Sequence, residues 1–240
     1  MLNKHIRKVA VLGSGLMGTG IAAHLAGCGL EVLMLDILPA DLKEGEKSPA
    51  ARNRIGNTAL QTALKSKPAP FYDNKFASRI TVGNFEDDFS KIATCDWILE
   101  VVVERLDIKK QIFEKVEQYR TKGCLVTSNT SGIPIHLMTE GRSDDFKKHF
   151  VGTHFFNPAR YMRLLEIIPT PDTDPEVTAF FLHFGDIILG KQTVLCKDTP
   201  AFIANRVGVY AMAKIFQLTA EIGLDISTVD TLTGPAIGRP

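Results

Sequence analysis

Residues 9–36 constrain this chain more than any other stretch. Val9-Ala10-Val11-Leu12 is an uninterrupted apolar run that stops at Gly13, as expected of a strand buried on both faces. From Leu16 to Ala26 the period lengthens: Met17, Ile21 and Leu25 fall at i, i+4 and i+8, and Gly27 and Gly29 supply the stop. Glu31–Asp36 reads as a second strand. Strand, helix and strand in about thirty residues make a βαβ unit.

The turn inside that unit reads Gly13-Ser14-Gly15-Leu16-Met17-Gly18. A G-x-G-x-x-G string alone is weak, but here a strand precedes it, a helix follows, and Asp36 closes the next strand. Gly13 allows the tight turn, Gly15 lets backbone approach a pyrophosphate, and Gly18 lets helix and strand pack closely. The N–H groups and dipole of the helix start favour the anion. Gly13, Gly15, Leu16, Met17 and Gly18 are therefore candidate cofactor-binding residues. Asp36 can hold both ribose hydroxyls and would repel a 2′-phosphate, so NAD is favoured over NADP. The bland alternative is a turn with no ligand. FAD is a weaker choice and S-adenosylmethionine weaker still, because the spacing suits a pyrophosphate.

Further along, residues 40–78 are polar and rich in Lys and Ala, and close on Lys67-Pro68-Ala69-Pro70; they read as a helical excursion and a loop. Strands are expected at Arg79–Gly83, Trp97–Val103, Leu125–Ser128, Phe150–Phe155, Leu164–Ile168 and Thr193–Cys196. One helix should bury Ile108, Ile112, Val116 and Tyr119. Another starts at Asp174-Pro175, an N-cap followed by a first-turn proline. It carries Val177, Phe180, Phe181, Phe184, Ile187 and Ile188 on one stripe and closes at Gly190. Thr199-Pro200 opens a last long helix reaching Gly223, after which the sequence turns polar. The fold class is α/β: a Rossmann-like, doubly wound, mostly parallel sheet with helices on both faces. Residues 1–197 form the NAD-binding domain, and 198–240 begin a helical domain left incomplete.

Composition narrows the function classes. Lys and Arg number 28 against 27 Asp and Glu, a net charge of +1, so no global field points to nucleic acid or an anionic membrane. Cys28, Cys95, Cys124 and Cys196 form no C-x-x-C pair, so neither a metal knuckle nor a disulfide pattern is expected. The start, Met1 to Lys8, lacks a secretory cleavage pattern, and no apolar run is long enough to span a bilayer. A cytoplasmic setting is the simplest expectation.

Three segments carry more polar chemistry than a scaffold needs: Ser128-Asn129-Thr130-Ser131, His154-Phe155-Phe156-Asn157-Pro158 through Glu166, and Lys197-Asp198-Thr199-Pro200 through Asn205-Arg206. With the glycine turn, these make the chain resemble the L-3-hydroxyacyl-CoA dehydrogenase family over nearly its whole length. Lys67–Pro70 and residues 141–149 look like the bacterial branch in which the dehydrogenase is fused to an enoyl-CoA hydratase unit. The resemblance implies NAD-dependent oxidation of L-3-hydroxyacyl-CoA to 3-oxoacyl-CoA in fatty-acid β-oxidation. It makes His154 the acid/base and Glu166 its carboxylate partner. A histidine suits both directions, having a pKa near operating pH, and a carboxylate fixes its tautomer. Twelve residues apart, the two can sit on neighbouring strands joined by a turn.

The same resemblance makes Ser131 and Asn205 substrate-positioning residues. It places Glu104, Lys109, Ser131 and Asn157 against the cofactor. The basic cluster Lys43, Lys47, Arg52, Arg54, Lys65 and Lys67 is either a solvated helical face or a seat for the CoA phosphates, with Lys65 and Lys67 foremost. A homodimer is implied for the full-length protein. Gly132 stands where the family often has a second serine, and Ala201 where it often has glycine; both touch loop geometry. The abrupt end at Gly238-Arg239-Pro240 suggests a fragment with impaired catalysis. Two other readings stand beside this one: another β-hydroxyacid dehydrogenase on the same cofactor fold, and a non-catalytic NAD-binding module.

Overall fold

Val9 and Val11 face one side of a sheet and Ala10 and Leu12 the other, and all four are fully buried. That two-sided burial explains the unbroken apolar run, and it places this strand at the heart of the fold. The structure, a computed structural model, describes residues 4–238; the readings of residues 1–3 and of Arg239-Pro240 lie outside these residues. The chain divides into two compact units, Met1–Pro200 and Ala201–Pro240.

In the first unit, β1 (Lys8–Leu12), α1 (Leu16–Gly27) and β2 (Glu31–Asp36) form the expected βαβ unit. The polar excursion contains α2 (Pro49–Arg52) and α3 (Arg54–Ala63) before β3 (Ile80–Asn84). Then come β4 (Trp97–Glu100), α4 (Leu106–Tyr119), β5 (Leu125–Ser128), α5 (Asp144–Lys148), β6 (Phe150–Phe155), β7 (Leu164–Pro169), α6 (Pro175–Ile187) and β8 (Gln192–Leu195). They make one 8-stranded sheet in the order β3-β2-β1-β4-β5-β6-β7-β8. Every pairing is parallel except β6 with β7. A short turn joins those two strands, and only an antiparallel return can follow a short turn.

Helices α1 and α6 pack on one face, where Ile21, Leu25, Phe181 and Phe184 meet Val9, Val11, Trp97 and Leu165. Trp97 anchors this layer. Its ring lies edge-on to Phe181 at 5.3 Å, and its indole N–H donates to Thr127 Oγ1 at 2.9 Å. Asp174 caps α6 as its sequence promised, accepting from Glu176 N at 2.8 Å.

Three local expectations need correction. The strand read through Val103 ends at Glu100, because Val102 N turns back to that residue's own carboxylate at 2.7 Å. The buried face of α4 is Lys109, Phe113 and Val116, while Tyr119 is exposed. Phe113 packs edge-on against Phe146 and Phe150, and Lys109 is drawn inward by a buried carboxylate. Ile187 and Ile188 are exposed at the end of α6, although they continue its apolar stripe.

In the second unit, α7 (Ala204–Ile222) begins four residues later than Pro200, since Ala201 and Phe202 adopt positive φ (63° and 48°) and interrupt the helix start. Gly223 ends it with φ of 74°. A further helix, α8 (Ile226–Thr233), follows in the stretch read only as polar, capped by Asp225 at 2.8 Å from Thr228 N.

Candidate active site

The glycine turn tests directly whether a dinucleotide fits. A Cβ on Gly13 would lie 2.5 Å from Val101 O, and φ there is +111°. A Cβ on Gly18 would lie 2.0 Å from Gly13 O. The chain's own packing therefore requires both glycines. Gly15 differs: its φ is −62°, and a Cβ there would meet nothing within 4 Å. No packing contact among the described residues demands glycine at that position, and the open backbone there is what the close approach of a pyrophosphate needs. Leu16 beside it is 77% exposed, whereas the Met17 side chain packs against the core.

Asp36 faces the same turn. Its Oδ2 accepts from Ser14 N at 2.6 Å and Ser14 Oγ at 2.5 Å, and its Oδ1 from Ile37 N at 2.7 Å. The carboxylate is thus fixed beside the glycines at the carboxyl end of the sheet, where open α/β sheets bind ligands. A cavity of about 780 Å³ opens from Ser14, Gly15 and Leu16 across α3 to Asn157 and Arg160. Lys67 and Arg54 also line it.

The antiparallel pair β6–β7 sets His154 directly opposite Glu166. Their side chains meet with Nδ1 and Oε2 2.7 Å apart, and Glu166 is fully buried. An ionised carboxylate only accepts, so the hydrogen of this contact sits on Nδ1; in the neutral imidazole that leaves the lone pair on Nε2. Cys196 sits behind the pair. Burial, then the Glu166 charge, pushes its thiol up to about 12.

Ser131, Glu104 and Lys109 converge from three segments. Glu104 Oε1 accepts from Thr130 Oγ1 at 2.6 Å, Ser131 N at 2.9 Å and Gly132 N at 3.2 Å. Burial alone would raise the Glu104 carboxyl, but the Thr130 hydroxyl, the Lys109 ammonium and the Ser131 N–H outweigh it and hold it below the usual carboxylate range. Lys109 is only 1% exposed and lies behind Glu104, not at the surface; a buried ammonium goes where carboxylates pair it. Asn129 Oδ1 accepts from Phe155 N at 2.8 Å and ties this loop to the residue after His154. Asn205 lies in the first turn of α7, in the second unit.

The residues of the basic cluster differ in their surroundings. Arg52 is bound bidentately to Asp87 at 2.6 and 2.7 Å, and Arg54 pairs with Asp41. Lys43 and Lys47 are exposed and do not line the large cavity. Lys67 does, while Lys65 borders a smaller pocket on α3.

The sequence reading missed Arg160 and Glu100. Arg160 donates to Ala69 O at 3.0 Å and Phe71 O at 2.6 Å, with its guanidinium 4.5 Å from the Tyr72 ring centre. It fastens the loop after α3 to the loop after β6. Neither residue sits in a recognisable motif, and only long-range contacts reveal them. Among the described residues, no group of three or more His, Cys, Asp or Glu could hold a metal ion, and no helix is long and apolar enough to cross a membrane.

A mostly parallel sheet, a glycine turn at a helix start and a carboxylate held beside that turn define a dinucleotide-binding domain of the dehydrogenase type. Comparison with known proteins narrows this. Residues 8–199 match the family described as 3-hydroxyacyl-CoA dehydrogenase, NAD binding domain. A probable 3-hydroxyacyl-CoA dehydrogenase of Bacillus subtilis is 55% identical over 100% of this chain and 31% of its own length. One of Deinococcus radiodurans is 48% identical over 98% of this chain and 66% of its own. The crystal structure of 3-hydroxybutyryl-CoA dehydrogenase from Escherichia coli superposes with a TM-score of 0.73 at 29% identity, covering 91% of this chain and 44% of that one. The chain belongs to the 3-hydroxyacyl-CoA dehydrogenase family, with NAD as the cofactor of its Rossmann-like unit. It spans about a third and two thirds, respectively, of the two curated relatives.

Proposed function

We propose that this chain serves the NAD-dependent oxidation of L-3-hydroxyacyl-CoA to 3-oxoacyl-CoA in fatty-acid β-oxidation, in a cytoplasmic setting. One observation carries the reading: the buried contact of 2.7 Å between His154 Nδ1 and Glu166 Oε2. With Nδ1–H donated to Glu166, Nε2 takes the proton of the substrate 3-hydroxyl. The C3–H bond breaks with its electron pair leaving as hydride, and C3=O forms. NAD, when bound, supplies the hydride acceptor. Glu166 stabilises the imidazolium as it develops, and in reduction the same nitrogen returns the proton.

Ser131, whose loop is pinned by Glu104, is proposed to hydrogen-bond the oxygen that alternates between alcohol and carbonyl. Asn205 carries the same proposal from the family resemblance alone. Glu104 and Asn157 are proposed to meet the cofactor directly, with Lys109 acting from behind Glu104. Lys67, with Lys65 nearby, is proposed to meet CoA phosphates at the rim of the large cavity, and a homodimer is proposed for the full-length protein.

The test replaces His154 with Gln. Turnover of a 3-hydroxyacyl-CoA should fall by orders of magnitude, with NAD affinity held within about twofold, since a general acid/base contributes about 10²–10⁴. A variant with near-parent turnover overturns the assignment. Tight NAD binding without any turnover, in a chain extended through the helical domain, would favour a binding module instead.

A further inference from the structure

Behind the Ser131 loop lies a carboxylate to which neither the sequence reading nor the proposed chemistry gives a role. Glu100, the last residue of β4, is fully buried. It is held from several directions. Ser128 Oγ donates to its Oε2 at 2.5 Å from the adjacent β5 position, and Val102 N donates to its Oε1 at 2.7 Å. Lys109 Nζ reaches the same Oε1 at 2.7 Å. Burial pushes the Glu100 carboxyl up, and these three donors oppose it. Lys109 is the counter-charge that a carboxylate buried at this position requires.

Lys109 does not stop at Glu100. Its ammonium is also 3.3 Å from Glu104 Oε2. It therefore bridges a fully buried carboxylate and one whose side chain is 42% exposed. The other oxygen of Glu104 gathers the Thr130 hydroxyl and the backbone N–H groups of Ser131 and Gly132. An exposed glutamate on a loop would sample several rotamers. Here one oxygen is pinned from behind by Lys109 and the other orders the loop in front.

We propose that Glu100 is a positioning residue for cofactor binding: through Lys109 it fixes Glu104, and through Glu104 the Thr130–Gly132 loop. This rests on the reading that Glu104 meets the cofactor. A buried ion pair is a poor stabiliser compared with apolar groups of similar volume, so the cost of burying this one is explained by what it holds in place. The relay has a direction: Glu100 on the sheet and Lys109 on α4 are buried, and only Glu104 is exposed.

The experiment uses the 240-residue chain and NAD itself, with affinity read by calorimetry and folding by thermal unfolding. The charge-free double variant Glu100→Gln with Lys109→Met keeps volume and removes both buried charges. Its melting temperature should match or exceed the parent's, while NAD affinity falls about tenfold, the scale of one charged hydrogen bond lost from the Glu104 anchor. Glu104→Gln should weaken NAD binding as well. Adding it to the double variant should weaken binding little further, because both changes act through one carboxylate. Glu100→Asp, which keeps the charge and shortens the reach to Lys109, should give a smaller loss in the same direction, and it serves as the test if the double variant does not fold. A folded double variant, or Glu100→Asp in its place, with parent affinity overturns the relay while leaving the Glu104 reading intact. An unchanged affinity in Glu104→Gln overturns the Glu104 reading and the relay together.

Discussion

A methyl group added at Gly18 and one added at Gly15 should produce opposite phenotypes. At Gly18 the new carbon would sit 2.0 Å from Gly13 O. Ordinary contact needs more than an ångström beyond that, and the obstacle is backbone, which cannot rotate away. Overpacking of this kind costs typically 1–3 kcal/mol and occasionally more; with backbone as the obstacle, about 3 kcal/mol is the expectation. In a chain of 150–250 residues, each kcal/mol moves the melting temperature by about 2–4 °C, so Gly18→Ala should melt about 6–12 °C below the parent. At Gly15 the φ of −62° suits any L residue, and the nearest atom is more than 4 Å away. Gly15→Ala should therefore melt within about 2 °C of the parent, as unstrained surface changes stay within about 0.5 kcal/mol. Its NAD affinity should drop about ten- to hundredfold, because the methyl holds the pyrophosphate off the helix N–H groups, each charged hydrogen bond being worth about 1.5–3 kcal/mol. Thermal unfolding by circular dichroism and calorimetry with NAD read the two quantities separately. If Gly15→Ala binds NAD like the parent, or destabilises the fold as much as Gly18→Ala, the division of labour within the glycine turn is refuted.

Asp36→Asn should cut NAD affinity about tenfold and narrow the preference over NADP, since the carboxylate that repels a 2′-phosphate is gone; titration of both dinucleotides checks this, and an unchanged ratio counts against the assignment. His24 is buried on α1 against Leu189 O at 3.0 Å, and burial, then Lys191, lowers it from its ordinary 6.5 to about 4. As pH falls through 6.5 the unfolded chain takes the proton first, so stability is lost down to about pH 4, by about 3 kcal/mol from this group. Denaturant curves at a series of pH values should show that slope reduced in His24→Gln, and identical slopes would dismiss the attribution. Neutralising Lys65 and Lys67 should raise KM for an acyl-CoA and leave a short pantetheine thioester nearly unaffected; equal losses on both substrates would reject the CoA contact.

The features legible in the sequence are those whose cause is local. The alternation of apolar runs and helical periods marked β1, α1 and β2, because a strand buried on both faces must be apolar throughout. Asp174-Pro175 announced α6, because capping involves only neighbouring backbone. Gly13 and Gly18 were readable as turn and packing residues. The His154–Glu166 pair was reached through the family motif and a spacing compatible with two strands. The contact itself needed the β6–β7 register, in which a one-residue slip would turn Glu166 to the opposite face.

The unread features depend on residues far apart in the chain. The α4 stripe was expected at Ile108, Ile112, Val116 and Tyr119, yet Lys109 and Phe113 lie inside, because partners on β4 and around Phe146 and Phe150 repay their burial. Val101–Val103 look like strand, but the Glu100 carboxylate turns the chain away there. Arg160 is an unremarkable loop arginine until the carbonyls of Ala69 and Phe71 are brought to it. Amino-acid order was sufficient for the glycine turn and the βαβ unit around it, whose residues are near neighbours. Packing settled which charges lie inside, since a buried ion is tolerated only where folding delivers its counter-charge.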